Sequence, residues 1–304
     1  MSKKILITGA SGFIASNFIN SCNRKKYHIV GIDLVKPKYK FLRNFEFIKF
    51  DIAKKNNFKL LKKKKFDYVI HLAAFSKPSK AEKFSQKAIN SNILGTKNIF
   101  DYVKEFSKNS KIFFFSGGAL YNSTPKYLPM DENHPIDPYQ NIYCFTKRSG
   151  ENLCEDYIKH YNLKIIYFRL FNTFGPHQDE EFLIPSWIKK CKRKTNKLEI
   201  LNGSIIRDFN YVENLINLLF MLMKNNKLNG GPFNVGSGKP VKLIDIANFI
   251  ANYFGMQVKD LKNKNTFGSK KQFSSIQKIK NFSGWKPEIS LRDGLIKTIK
   301  FYTK

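Results

Sequence analysis

Tyr143 and Lys147 stand four residues apart in "YCFTK" (143–147). At that spacing on a helix the two side chains share a face, so an ammonium can lower the phenol's pKa. A tyrosine placed this way is usable as a proton shuttle near neutral pH. Upstream, "KIFFFSGGALY" (111–121) reads as a buried strand that breaks at a glycine turn, with Ser116 at the break. That hydroxyl either meets a reacting oxygen or only closes the turn. His71, inside an apolar run, reads as a core histidine. The four cysteines (Cys22, Cys144, Cys154, Cys191) show no C-x-x-C or Cys/His ligand spacing, so a reduced, metal-free chain is expected.

A second set of residues is suited to a dinucleotide. The apolar run "KILIT" (4–8) leads straight into "TGASGFIAS" (8–16). Gly9 and Gly12 fall where a chain must turn tightly and let a pyrophosphate approach. The helix start at Phe13 and Ile14 offers amide groups and a positive end to hold its charge. Ala15 stands where a third glycine is commonest. Asp33 closes a second apolar run at the spacing where a carboxylate accepts hydrogen bonds from an adenosine ribose. A carboxylate repels a 2′-phosphate, which favours NAD over NADP, although Lys36, Lys38 and Arg43 leave room for NADP. Asp51 and Ile52, after the third run, are placed to reach the adenine. Ala73 and Ala74, after the fourth, are small residues where backbone passes close to a cofactor. In such a site Lys147 would also bond the nicotinamide ribose.

These residues need elements to position them. Short apolar runs at 4–8, 28–33, 45–50, 67–73, 111–116 and 164–170 alternate with segments of helical period at 12–24, 81–106 and 141–161. This is the pattern of repeated βαβ units, and runs apolar almost throughout predict parallel strands covered on both faces. The expected class is α/β, a doubly wound parallel sheet. Beyond about residue 172 the regularity fades into a smaller, loop-rich region with helices near 182–193, 212–224 and 243–254. The expected domains are therefore 1–172 and 173–304, with some later segments returning to the first.

At 304 residues and 42% hydrophobic, the chain can bury a large core. Its formal charge of +31 comes mainly from lysine. Runs such as "KKNNFKLLKKKK" (54–65) and "KKCKRKTNK" (189–197) could contact nucleic acid. No nucleic-acid-reading motif accompanies them, so they are read as solvated faces, and the surviving consequence is attraction of anionic small molecules. The apolar run after the first lysines is too short for a signal peptide or a membrane span, which places the protein in the cytoplasm.

Together these motifs resemble the extended short-chain dehydrogenases/reductases, in particular their nucleotide-sugar epimerase/dehydratase branch. The matching pieces run through nearly the whole chain: "TGASGFIAS", Asp33, "DI" (51–52), "HLAA" (71–74), "NILGT" (92–96), "YCFTK", "FRLFNTFGP" (168–176), "RDFNYVEN" (207–214), "FNVGSG" (233–238) and "GWKP" (284–287). The resemblance implies a Rossmann-type sheet with a smaller C-terminal α/β substrate-binding domain, NAD as cofactor, a nucleotide-diphosphate sugar as substrate and a homodimer paired through the helices at 81–106 and 141–161. It implies that Asn92 belongs to the cofactor site, from the helix behind it, and that Asn172 and Arg207 face the diphosphate. Where the family often has a second diphosphate-binding arginine, this chain has Lys270, Lys271 and Gln272, which lack arginine's bidentate fork.

The residues before Tyr121 bear on the reaction. Dehydratases of this branch carry an Asp-Glu pair where this chain has Gly118 and Ala119. Decarboxylating relatives have a glutamate, and 3,5-epimerising ones a cysteine, at the Ala119 position. None is present, which leaves hydride transfer plus one proton shuttle: epimerisation at C4, or reduction of a 4-keto sugar with NAD(P)H. A third reading is a non-catalytic cofactor-binding or RNA-binding relative, against which the intact Tyr143/Lys147 pair speaks. The serine or threonine expected four residues before Tyr121 is Gly117 here, and Ser116, one residue earlier, is the candidate hydroxyl.

Overall fold

The computed structural model describes residues 2–22, 25–38, 45–193, 197–225, 229–262 and 269–304. The chain forms two compact units. The first comprises Met1–Leu120, Ile136–Arg169 and Phe220–Phe233; the second comprises Tyr121–Pro135, Leu170–Leu219 and Asn234–Lys304.

In the first unit, strands β1 (Lys3–Thr8), β2 (Tyr27–Asp33), β3 (Phe45–Lys49), β4 (Tyr68–His71), β5 (Lys111–Gly117) and β6 (Lys164–Leu170) join Gly230–Val235 in a seven-stranded sheet. Its order is 230–235, β6, β5, β4, β1, β2, β3, and the β1/β2, β1/β4, β2/β3 and β4/β5 pairings are parallel. Ile5, Leu6, Ile7, Ile112 and Phe113 are fully buried, as strands covered on both faces require. The chain runs outward from β1 to β3, then returns to β1's other side for β4. This reversal opens a crevice beyond the carboxyl ends of β1 and β4.

At that crevice Gly9 adopts φ +67°, and a Cβ there would lie 2.7 Å from the Ala73 nitrogen. Only glycine satisfies both the left-handed backbone and the contact between the two strand ends. Helix α1 (Phe13–Ser21) then leaves from Gly12.

Two expectations are corrected. The segment 81–106 is not one helix. It comprises Pro78–Ala81, Ser85–Ile89, a π-helical turn over Asn90–Leu94 and Gly95–Phe106. The extra residue of that wider turn sits where Asn92 bonds to neighbouring segments, a common association of π-turns with sites. Nor does a single boundary near 172 divide the chain. Residues 121–135 belong to the second unit because the Tyr121 hydroxyl donates to Asn234 Oδ1 (2.6 Å), the Asn234 amide donates to Glu132 (2.7 Å), and Met130 exchanges backbone bonds with Phe273 and Ser275. Residues 220–233 belong to the first, where Lys111 Nζ donates to the Leu222 carbonyl (2.9 Å) and the Tyr68 hydroxyl to that of Met223 (2.8 Å).

The second unit is built on strand Ile206–Tyr211, flanked by Pro240–Lys242 antiparallel and by Lys271–Gln272 and Asn172–Phe174 parallel. Asp208, fully buried, accepts from the backbone and hydroxyl of both Ser237 and Ser274, which pins two loops to this strand. Helices Leu183–Lys192, Val212–Lys224 and Leu243–Tyr253 match the periodic segments; Gln277–Ser283 and Leu291–Thr303 add two more. Among the described residues, no helix is long and apolar enough to cross a membrane.

The Gly9 geometry sets a first test. Gly9→Ala is expected to lower unfolding free energy by about 1–3 kcal/mol, the cost of one strained backbone position, measured by urea denaturation. An unchanged midpoint and slope would show that the strand ends can part without penalty.

Candidate active site

The helix Ile142–Tyr161 carries both chemical residues, and its first turn is fixed twice. Asn141 Oδ1 accepts from the Cys144 amide (2.9 Å), and Glu82 Oε1 accepts from that of Ile142 (2.8 Å). Tyr143 lies in this turn, with Lys147 one turn later. Gly150 lets the helix approach β5 closely: a Cβ there would meet the Phe114 ring at 2.4 Å.

Lys147 is buried, and its Nζ donates to the Phe115 carbonyl at 2.9 Å. Burial lowers its pKa to about 8, against an opposing pull from Glu151. Glu151 is itself fully buried, held by both forks of Arg169 (2.9 and 2.8 Å) and by Arg148 (3.0 Å). Removing either arginine would leave a carboxylate short of partners beside the lysine.

Tyr143 departs from the expectation of a lowered phenol. Burial, seconded by Cys144, raises its pKa above the ordinary 10. The Lys147 ammonium bonds to Phe115 and stands 5.8 Å from the Tyr143 ring centre, so desolvation dominates and the phenol is protonated at neutral pH.

The end of β5 completes the group. A Cβ on Gly117 would lie 3.5 Å from the Tyr143 hydroxyl, so this strand end borders the phenol directly. Ser116, next to it in the chain, is 4% exposed, and its Oγ has no hydrogen-bond partner among the described residues. An orphaned buried hydroxyl costs stability unless a water or a ligand meets it.

The first unit also assembles the residues suited to a dinucleotide. Helix α1 has no side-chain cap and no acidic residue in its first turn, leaving the amide end at Phe13 and Ile14 suited to a pyrophosphate. Asp33 ends β2 with its carboxylate accepting from the Ser11 amide (3.0 Å) of the glycine turn and that of Val35 (3.2 Å). Each oxygen keeps acceptor capacity for ribose hydroxyls. Asp51 accepts from the Ala53 amide (3.0 Å), while Ile52 is buried and its carbonyl accepts from Asn98. Ala73 meets Gly9 across the crevice, and Ala74 lines an open pocket beside it. Lys36 and Lys38 are exposed, and Arg43 lies outside the described residues. The glycine turn, the helix start at Phe13 and Ile14 and the Asp33 carboxylate have the chemistry needed to hold NAD.

Asn92 is corrected from a cofactor contact to a brace. It is buried, its Oδ1 accepts from the Phe75 amide (2.7 Å), and its Nδ2 donates to Thr146 Oγ1 (2.9 Å) and the Phe75 carbonyl (3.3 Å). Its amide has no proton left for a ligand. His71 is a core residue: the Thr96 hydroxyl donates to the Asn92 carbonyl, so Nε2 must donate to Thr96 (3.0 Å) and Nδ1 accept from Thr8 (2.6 Å). Burial lowers its pKa to about 3, so it stays neutral.

In the second unit, Asn172 pairs in register with Phe209, two residues from Arg207, and donates to the Asp208 carbonyl (3.0 Å). Arg207 Nη1 donates to the Ile206 carbonyl (2.8 Å), and Gln272 lies opposite Arg207 in the sheet.

A model of the NAD-dependent epimerase/dehydratase family matches residues 5–236. The chain belongs to this family. NAD is therefore its cofactor. Over 98% of this chain and 97% of its relative, it is 29% identical to a Methanocaldococcus jannaschii protein provisionally named a UDP-glucose 4-epimerase. It is 26% identical to UDP-glucuronic acid decarboxylase 1 of Xenopus tropicalis, over 99% of this chain and 72% of that one. The solved UDP-glucuronic acid 4-epimerase of Bacillus cereus, in complex with UDP-glucuronic acid and NAD, superposes with a TM-score of 0.88 at 27% identity, covering 99% of each chain. Relatives of similar identity thus run different reactions, and the site residues must discriminate among them.

Lys147 gives a pH test. In the folded protein it loses its proton near pH 8, whereas unfolded it holds it to about 10.5. Between those values the unfolded state binds more protons, so stability rises with pH. Relative to Lys147→Met, the protein should gain on the order of 3 kcal/mol of unfolding free energy from pH 8 to 10.5. A pH-independent difference between the two would contradict a buried, depressed lysine.

Proposed function

We propose that this enzyme of the nucleotide-sugar epimerase/dehydratase family is a 4-epimerase, inverting the hexose of a nucleotide-diphosphate sugar at C4 through a transient 4-keto sugar. The observation that carries this is the neighbourhood of the Tyr143 hydroxyl. The Lys147 ammonium, 5.8 Å from the ring centre, and the end of β5 at Gly117 gather there, while Gly118 and Ala119 offer neither the carboxylates of a dehydration nor the glutamate of a decarboxylation.

Bound NAD supplies the acceptor for the C4 hydride and the store from which it returns. In its phenolate form Tyr143 Oη takes the proton of the 4-hydroxyl, and it later returns that proton to the 4-oxygen of the inverted sugar. Lys147, charged below about pH 8, favours the phenolate at that moment and bonds the nicotinamide ribose. Ser116 donates to or accepts from the sugar's 4-oxygen and so orients it. Asn172 and Arg207 are the residues we assign to the diphosphate. Asn92 keeps the Phe75 loop and the Tyr143 helix in register.

The raised Tyr143 pKa favours a second reading, a 4-ketoreductase in which the protonated phenol is a ready acid. The two are separated by cofactor balance. Interconversion of C4 epimers without net change in reduced-nicotinamide absorbance supports the epimerase; consumption of NADH or NADPH with a 4-keto sugar alone supports the reductase.

In either reaction Tyr143→Phe should bind cofactor normally and lose about two orders of magnitude or more in turnover. Undiminished turnover in steady-state assays would remove Tyr143 from the chemistry. Ser116→Ala should lower turnover by roughly tenfold or more, and adding Gly117→Ser to it should restore most of the loss, because position 117 borders the same phenol. Full activity in Ser116→Ala would assign the serine to the turn alone.

A further inference from the structure

A fully buried carboxylate stands one turn beyond Lys147. Glu151 lies on the face of the helix Ile142–Tyr161 that carries Lys147, four residues on, and both are buried. Arg169 of β6 holds it with two donors, Nε to Oε1 (2.9 Å) and Nη2 to Oε2 (2.8 Å), and Arg148 Nη1 adds a third bond to Oε2 (3.0 Å). Arg148 also donates to Glu155 (3.1 Å), which accepts from the Tyr167 hydroxyl (3.1 Å). Packing does not call for these charges. Desolvation commonly offsets the attraction within a buried ion pair, and apolar side chains join a helix to a strand as well.

What the carboxylate supplies is a negative charge beside a lysine that burial drives toward its neutral form. Among the described residues, no other acidic side chain acts on Lys147 in this way. From β4, His71 is neutral; from the π-turn, Asn92 is uncharged; and the end of β5 offers the Phe115 carbonyl. On the lysine's own helix Tyr143 is protonated. Glu82 and Asp101, from segments packed against that helix, bond elsewhere along it, to Ile142 (2.8 Å) and Tyr157 (2.6 Å). Near Glu151, burial keeps Cys154 and Tyr167 protonated. A phenol whose pKa burial raises needs a positive neighbour to release its proton, and a neutral amine gives none.

We propose that Glu151, held by Arg169 and Arg148, is a positioning residue that keeps Lys147 in its ammonium form while Tyr143 gives and takes its proton. The proposal rests on the assignment of Tyr143 and Lys147 to proton transfer, which the epimerase and reductase readings share. Glu151 acts through the lysine, from within the core.

The test compares Glu151→Gln with the unsubstituted enzyme across pH. The unsubstituted enzyme's advantage in kcat/KM should stay within about twofold near pH 6 and widen to about tenfold near pH 9, because the variant's lysine gives up its proton about one unit lower. A purely structural carboxylate would lower turnover equally at every pH. A second readout needs neither sugar nor cofactor. Measured against Lys147→Met in the same background, unfolding free energy should begin to rise with pH from about 7 in Glu151→Gln, rather than from about 8. Should Arg169, left unpaired, prevent folding, Glu151→Gln with Arg169→Met removes both charges and carries the same two expectations, since Arg148 keeps Glu155. An advantage independent of pH, or an unmoved onset, would overturn the proposal. The two hypotheses fail separately. C4 epimers formed with a pH-independent advantage refute the role of Glu151 alone. A moved onset in an enzyme that forms no epimer, but reduces a 4-keto sugar with the same pH-dependent advantage, supports Glu151 and refutes the epimerase reading.

Discussion

The hydrogen bond from Lys147 Nζ to the Phe115 carbonyl is the constraint on which the site depends. It joins the helix bearing Tyr143 to the strand end bearing Ser116 and Gly117, and it fixes an ammonium where burial already makes charge costly. Around it the structure supplies compensation. Glu151 raises the lysine's affinity for its proton, Arg169 and Arg148 neutralise Glu151, and Gly150 allows the helix to sit close enough to β5 for the bond to form. The site therefore reaches from the desolvated Tyr143 phenol through Lys147 and Glu151 to Arg169, a buried series of alternating charges.

A second set of contacts holds the loops around that axis. Asn92 spends its whole amide on Phe75 and Thr146, and Glu82 caps the helix start, so the segment after β4 moves with the Tyr143 helix. The π-turn at Asn90–Leu94 has its use here, turning Asn92 toward the two partners. In the second unit Asp208 plays a comparable part, gathering the Ser237 and Ser274 loops against the strand that carries Arg207.

Much of this was legible in the sequence, for identifiable reasons. The strands β1 to β6 are buried on both faces, so each reads as an unbroken apolar run, and the glycine turn must follow the first one. Tyr143 and Lys147 are four apart because helical geometry demands it. What escaped was set by residues far apart in the chain. Nothing local in Tyr121–Pro135 shows that Tyr121 will bond to Asn234 or Met130 to Phe273. The periodic segment 81–106 conceals its breaks, because apolar spacing survives a single wider turn. The direction of the Tyr143 shift depends on burial, and spacing alone registers only the nearby lysine. Asn92 reads as a ligand until its donors are seen to be occupied.

The central claim is that one enzyme removes and returns the same hydride at C4. The most direct measurement follows a nucleotide sugar deuterated at C4 through the reaction by NMR. The account requires the epimer to appear with deuterium retained at C4 and no accumulation of reduced cofactor. Loss of the label to solvent, or its transfer to a net-reduced cofactor without an epimer, would contradict it.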